Sequence, residues 1–227
     1  MLARIFASLR SARWATLCVV NLRILIGFAF LPSGLKKLLD QPFTDPHNTG
    51  RFHEFLHAFH ATGWFYQFVG TVQLVAATLL ITQRFATVGA FLAMPVITTI
   101  TMFCWSTGVV PTAIVATLMC LGTAGLLVWD LPRWHLVFAA DDARASTARF
   151  PDPTRGQPVI DMRLWQACGI AIVALYFGAC LAMGGVYRPK GMDLHHPAFY
   201  VMPAILLLPV VTLILDQRRV AAARRRT

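Results

Sequence analysis

The chain has 227 residues, 57% of them apolar and only 13% charged, with a mean hydropathy of +0.61. Soluble domains carry about 25% charged residues, so one globular core cannot absorb this much apolar surface, whereas a bilayer accepts it directly. Composition therefore excludes a soluble enzyme. The net charge of +10 does not indicate nucleic acid, because the basic residues flank apolar segments instead of tiling one aromatic-rich face. The class predicted is an all-α, polytopic membrane protein with room for about six spans of roughly 20 residues.

Arg4, Arg10 and Arg13 precede the first apolar run, Trp14 to Leu35. That run contains Arg23 and lacks a small-residue cleavage site, which predicts a retained span and not a signal peptide. A polar stretch follows, and within it residues 51–61 alternate Phe52, Phe55, Leu56 and Phe59 with His53, His57 and His60, the pattern of a short amphipathic helix lying on the outer membrane interface. Further spans are expected at Trp64 to Ile81, Phe85 to Trp105 and Val109 to Trp129, which completes a four-span unit over residues 1–130. Residues 131–163, rich in Asp, Arg and Pro, read as a cytoplasmic linker. The last two spans, Trp165 to Met183 and Phe199 to Leu215, form a hairpin with a basic tail, over residues 164–227. Ala174, Gly178 and Ala182 stand at helix-packing spacing in this hairpin, and Pro203 and Pro209 should kink its second helix. Trp14, Trp64, Trp105, Trp129 and Trp165 fall at span ends, like an interfacial belt. With six spans, Lys and Arg divide 14 to 5 between the two sides, which by the positive-inside rule places both termini in the cytoplasm.

The residues able to carry chemistry are few. Arg23 lies nine residues beyond Trp14, about 13 Å into a ~30 Å hydrocarbon core, and its charge cannot be removed by deprotonation. No Asp or Glu lies inside any span. Two readings stay open: Arg23 reaches along its helix to Asp130 at the end of the fourth span, or it faces a ligand together with Gln73. Ser33 and Lys37, toward the outer end of the first span, are further candidates to line a binding site. Pro95 joins them because a mid-span proline kinks its helix and can open a cavity. The span threonines, Thr71, Thr98 and Thr99, are expected to bond their own preceding turns.

His53-Glu54-Phe55-Leu56-His57 is a literal H-E-x-x-H, and His60 falls on the same helical face, so three imidazoles could meet a metal. A metalloprotease also needs a further ligand and a substrate cleft, which short outer loops do not supply, so zinc is disfavoured. Cys18, Cys104, Cys120, Cys168 and Cys180 form no C-x-x-C pair, and no haem, flavin or nucleotide motif is readable.

The run Arg23-Ile24-Leu25-Ile26-Gly27-Phe28-Ala29-Phe30-Leu31-Pro32-Ser33-Gly34-Leu35-Lys36-Lys37 resembles the opening signature of the DoxX-like family of small bacterial membrane proteins. Thr62-Gly63-Trp64-Phe65, Phe68-Val69-Gly70, Gln73-Leu74, Gln83-Arg84-Phe85, Gly89 and Met94-Pro95 extend the similarity, which covers residues 21–129. The resemblance implies a four-helix bundle in the bacterial inner membrane, with the histidine helix as its amphipathic connector. It also implies an association with quinone-linked redox chemistry, since some members resemble membrane subunits of thiosulfate:quinone oxidoreductase. Many members carry Glu where this chain has Gln73, and the hairpin has no counterpart in the family pattern. The expected function is a membrane subunit that binds a quinone or small anion near Arg23, in contact with the lipid bilayer and a partner redox protein or subunit. The alternative is a non-catalytic scaffold that recruits a partner or anionic lipid; a small-molecule transporter ranks lower.

Overall fold

A computed structural model of the protein describes residues 8–132, 134, 160–187 and 195–224. Among these, helix is the regular structure and no strand occurs. The elements are α1 (Arg13–Leu38), α2 (Arg51–Ala61), α3 (Trp64–Ile81), α4 (Ala86–Ser106), α5 (Val110–Trp129), α6 (Met162–Met183), a 3₁₀ turn (Pro197–Tyr200) and α7 (Val201–Arg224). Six helical segments are long and apolar enough to cross a membrane, as expected for a polytopic all-α protein. The linker and the last three residues of the basic tail lie for the most part outside the described residues.

The helices run alternately up and down. One end of the bundle gathers the starts of α1, α4 and α6 with the ends of α3, α5 and α7; the opposite end carries the α1–α2–α3 connections. We call these the termini end and the loop end.

The central seam is the pairing of α1 with α3. It is close because small residues face backbone: a Cβ on Gly34 would stand 3.0 Å from the Gly70 carbonyl oxygen, and one on Gly70 would stand 2.7 Å from Lys37 Cβ. Around the seam, Ile26, Phe30, Leu31, Ala76, Ala77, Leu80 and Ile81 are buried, while large apolar side chains such as Leu25, Phe68, Met102 and Leu118 stay exposed where lipid would lie. The short α2 has no buried residue and rests its aromatic side on the end of α4, with the rings of Phe52 and Phe55 5.3 Å and 4.4 Å from that of Phe103.

The hairpin docks on the four-span unit through a different face from the one expected. Ala174, Gly178 and Ala182 are all exposed. Contact runs instead through Gly169, where a Cβ would collide with the Ile81 carbonyl oxygen, and through Tyr176, whose ring meets that of Phe28 edge-on at 5.9 Å. Trp165 accordingly leaves the interfacial belt: it is fully buried, whereas Trp14 and Trp64 are exposed. The start of α6 meets the end of α3, a tertiary contact that outranks the preference of tryptophan for the interface. Pro209 lies within α7, which continues to Arg224, and the candidate sixth span runs from Ala198 to Ala221, longer than expected.

Candidate functional site

The candidate residues fall at two levels of the bundle. At the termini end, Arg23 is 3% exposed and its Nη2 donates to Asp130 Oδ2 at 2.7 Å. The same carboxylate oxygen accepts from Thr87 Oγ1 at 3.0 Å, and Arg23 Nη1 donates to Gln83 Oε1 at 3.3 Å. Gln83 itself takes a left-handed turn conformation, φ 58°, and its amide nitrogen also donates to the Val20 carbonyl at 3.2 Å. A buried guanidinium thus ties α1, the α3–α4 turn, α4 and α5 together. Of the two readings for Arg23, the geometry is that of the internal ion pair with Asp130, and Gln83 stands where Gln73 was expected. Removing one partner of a buried pair leaves an uncompensated charge and costs about 3–5 kcal/mol, so the cluster acts as a four-segment rivet.

Gln73, Ser33 and Lys37 lie nearer the loop end. Antiparallel packing sets Gln73 beside Gly34, eleven residues and roughly 16 Å along α1 from Arg23. Gln73 is 0% exposed, and neither its amide nitrogen nor its amide oxygen has a hydrogen-bond partner among the described residues. Buried polar atoms are paired in the great majority of cases, and each unmade bond costs about 1–3 kcal/mol. About one turn further along the seam, Lys37 is 8% exposed; its Nζ donates to the Ser33 carbonyl at 3.3 Å and stands 4.6 Å from the centre of the Phe43 ring. The Ser33 hydroxyl donates to the Phe30 carbonyl, so the backbone oxygen of Ser33, not its side chain, reaches Lys37.

Pro95 is exposed on the outward side of α4, away from the seam. Thr71, Thr98 and Thr99 bond the carbonyls of Gln67, Met94 and Pro95, one turn back in each case.

The three histidines do not converge. His53 Nδ1 pairs with Thr44 Oγ1 at 2.6 Å, His57 Nε2 donates to the Asp45 carbonyl at 3.1 Å, and His60 Nε2 donates to the Asp40 carbonyl at 3.1 Å. Each imidazole fastens a different residue of segment 40–50 to α2. Among the described residues, no group of three or more His, Cys, Asp or Glu is arranged to hold a metal ion. Beside them, the backbone N–H and the ring of His47 hydrogen-bond to Asp45 and hold its carboxyl below the usual value.

A second ionic cluster, not legible from spacing, joins the hairpin to α1 at the termini end. Asp216 is 0% exposed; its Oδ2 accepts from Arg13 Nη2 at 2.7 Å and its Oδ1 from the Asp161 backbone N–H at 2.6 Å. Asp161 caps α6 by accepting from the Leu164 N–H, and Arg219 Nη1 donates to it at 2.7 Å. The Arg219 hydrogen bond holds the Asp161 carboxyl below its ordinary value.

These features define a polytopic helical membrane protein with a riveted bundle, a buried polar position in the α1–α3 seam, and a docked hairpin. Residues 18–107 match the DoxX family model, so the chain carries a DoxX domain, which supports its membership in a DoxX-like family. The match runs from within α1 to just past the end of α4 and includes both Arg23 and the seam; α5 and the hairpin lie beyond it. No curated protein and no solved structure matches the chain.

Proposed function

We propose that the chain is the membrane subunit of a quinone-linked redox system in the bacterial inner membrane, and that the head group is held in the α1–α3 seam by Gln73. The observation that supports this reading is the Gln73 amide, wholly buried with a donor and an acceptor both unspent. A quinone carbonyl accepts from the amide N–H₂, and a quinol hydroxyl donates to the amide oxygen, so one glutamine suits both redox states. An anion would leave the amide oxygen without a donor, and a neutral head group is therefore favoured. Lys37, on the same seam, supplies a cation toward any negative charge that develops. Arg23 is committed to Asp130 and Gln83 and serves the scaffold. A bound quinone would supply two-electron, two-proton redox capacity; the chain's own residues bind it, orient it and exclude water. Electrons would reach it from a partner protein, with both termini of this subunit cytoplasmic, as the Lys and Arg asymmetry favours.

The second reading, a non-catalytic scaffold, draws support from the two ionic clusters, which bind helices to one another and leave their charges internally satisfied. Calorimetric titration of the detergent-solubilised protein with decylubiquinone separates the two. The quinone reading expects binding that weakens at least about tenfold in Gln73→Leu. Absence of binding to the wild-type protein would leave the scaffold.

A further inference from the structure

Segment 40–50 crosses the loop end of the α1–α3 seam without burying anything of its own. None of its residues is buried, and neither is any residue of α2, to which it is fastened. Beneath it lie Lys37, 8% exposed, and Tyr66, 0% exposed. Phe43 sits over both lysines, its ring centre 4.6 Å from Lys37 Nζ and 5.3 Å from Lys36 Nζ. The Tyr66 hydroxyl donates to the Gln41 carbonyl at 2.8 Å. The other fasteners are the pairs Thr44 with His53, Asp45 carbonyl with His57, and Asp40 carbonyl with His60. They lie at half-buried or exposed positions, and only His60 makes a second contact, its Nε2 standing 3.5 Å from the Asp40 carboxylate; structure of this kind opens at low free energy while its surroundings stay folded.

The ends of the segment are built differently from its middle. Asp40 has φ 52° and Gly50 has φ 101°, and nothing stands within 4 Å of a Cβ placed on Gly50. Glycine is therefore present at position 50 for its backbone conformation and not for want of space. The two positive-φ residues bracket the piece of chain that the histidines fasten.

We propose that segment 40–50 is a cover that pivots at Asp40 and Gly50, latched by His53 and His57 with His60 anchoring the Asp40 pivot, and that it controls access of water and polar solutes to Lys37 and the α1–α3 seam. The histidines of the H-E-x-x-H string thus acquire a role that involves no metal: each donates to, or pairs with, one point on the cover. The part of the proposal that concerns ligand access to Gln73 rests on the quinone reading; the cover itself does not.

The test uses the full-length protein in detergent, treated with the amine reagent sulfo-N-hydroxysuccinimidyl acetate and followed at Lys36 and Lys37 by mass spectrometry. Lys36, half-buried and next in sequence, is the internal reference. In the wild-type protein Lys37 is expected to react at least about tenfold more slowly than Lys36. His57→Ala should accelerate Lys37 by about fivefold, the effect of one lost hydrogen bond, His60→Ala should accelerate it less because it loosens only the pivot, and Lys36, farther from the Phe43 ring, should respond less than Lys37 in both. A Thr44→Cys, His53→Cys pair, oxidised to a disulfide, should suppress Lys37 labelling, and reductant should restore it. Lys37 reacting as fast as Lys36 in the wild type, or indifferent to both the histidine variants and the disulfide, would overturn the cover. The readout needs no ligand, so a responsive cover in a protein that does not bind decylubiquinone would refute the quinone reading alone.

Discussion

Neutralising Arg23 should destabilise the fold and spare the ligand. The guanidinium and the Asp130 carboxylate are 4% and 1% exposed, meet at 2.7 Å, and have Gln83 and Thr87 as further partners. Arg23→Met strands the buried carboxylate at a cost of about 3–5 kcal/mol, or roughly 6–20 °C in midpoint for a chain of this size. Asp130→Leu strands the guanidinium at a similar cost. Combining the two removes both charges and should recover most of the loss, leaving about 1–2 kcal/mol from Gln83 and Thr87, which each lose a partner. Such a cycle shows strong coupling, because neither single change is innocent while its partner remains. Thermal unfolding in detergent, followed by circular dichroism, reads the four proteins, and decylubiquinone titration of the double variant reads the site. An Arg23→Met protein that keeps its unfolding midpoint but loses ligand affinity tenfold or more would refute the reasoning and return Arg23 to the binding site.

Gly169→Ala places a Cβ against the Ile81 carbonyl, where neither atom can yield cheaply, and should cost about 1–3 kcal/mol in thermal unfolding; no loss would show that the hairpin does not pack there. Asp216→Asn removes the charge opposite Arg13 while keeping an acceptor for the Asp161 N–H. Since Arg13 is partly exposed, the expected loss is smaller, about 1–3 kcal/mol, measured against Arg13→Met in the same cycle. The Asp161 carboxyl titrates below its ordinary value of 3.8 in the folded protein, so it contributes stability that is complete above that value and disappears as pH falls through the lower, folded one. Thermal midpoints taken from pH 7 down to pH 3 should therefore fall more steeply below about pH 4 in the wild type than in Asp161→Asn.

The six spans were legible because hydropathy and length alone decide which segments a bilayer accepts, and the amphipathic helix at 51–61 because its phenylalanines recur at helical spacing. Arg23 could be singled out as a buried charge, and Asp130 as one of two destinations, since few carboxylates lie near any span end. What spacing could not supply was lateral arrangement. The Arg23 level depends on α1 being 26 residues long and on the left-handed conformation of Gln83 itself, and neither leaves a hydropathy signal. For the same reason Gln73 and Arg23, which look like neighbours when only polar residues are counted, stand at different heights along the seam. The small residues of α6 misled because Ala and Gly are common in apolar helices; Gly169 is the one that meets backbone, and only the partner helix distinguishes it. Asp216 followed a predicted span and read as part of a basic tail, until α7 proved long enough to carry it inside.

The central claim is that Gln73 waits for a ligand, and one substitution tests it with two opposed readouts. Gln73→Leu removes two unpaired polar atoms from an apolar seam at similar volume. It should raise the thermal midpoint of the ligand-free protein by roughly 2–12 °C, equivalent to about 1–3 kcal/mol. Native mass spectrometry of the wild type, extracted from membranes in mild detergent, should show a retained quinone that the Gln73→Leu protein lacks. A Gln73→Leu protein that is less stable than the wild type, or that retains the same quinone, would contradict the account.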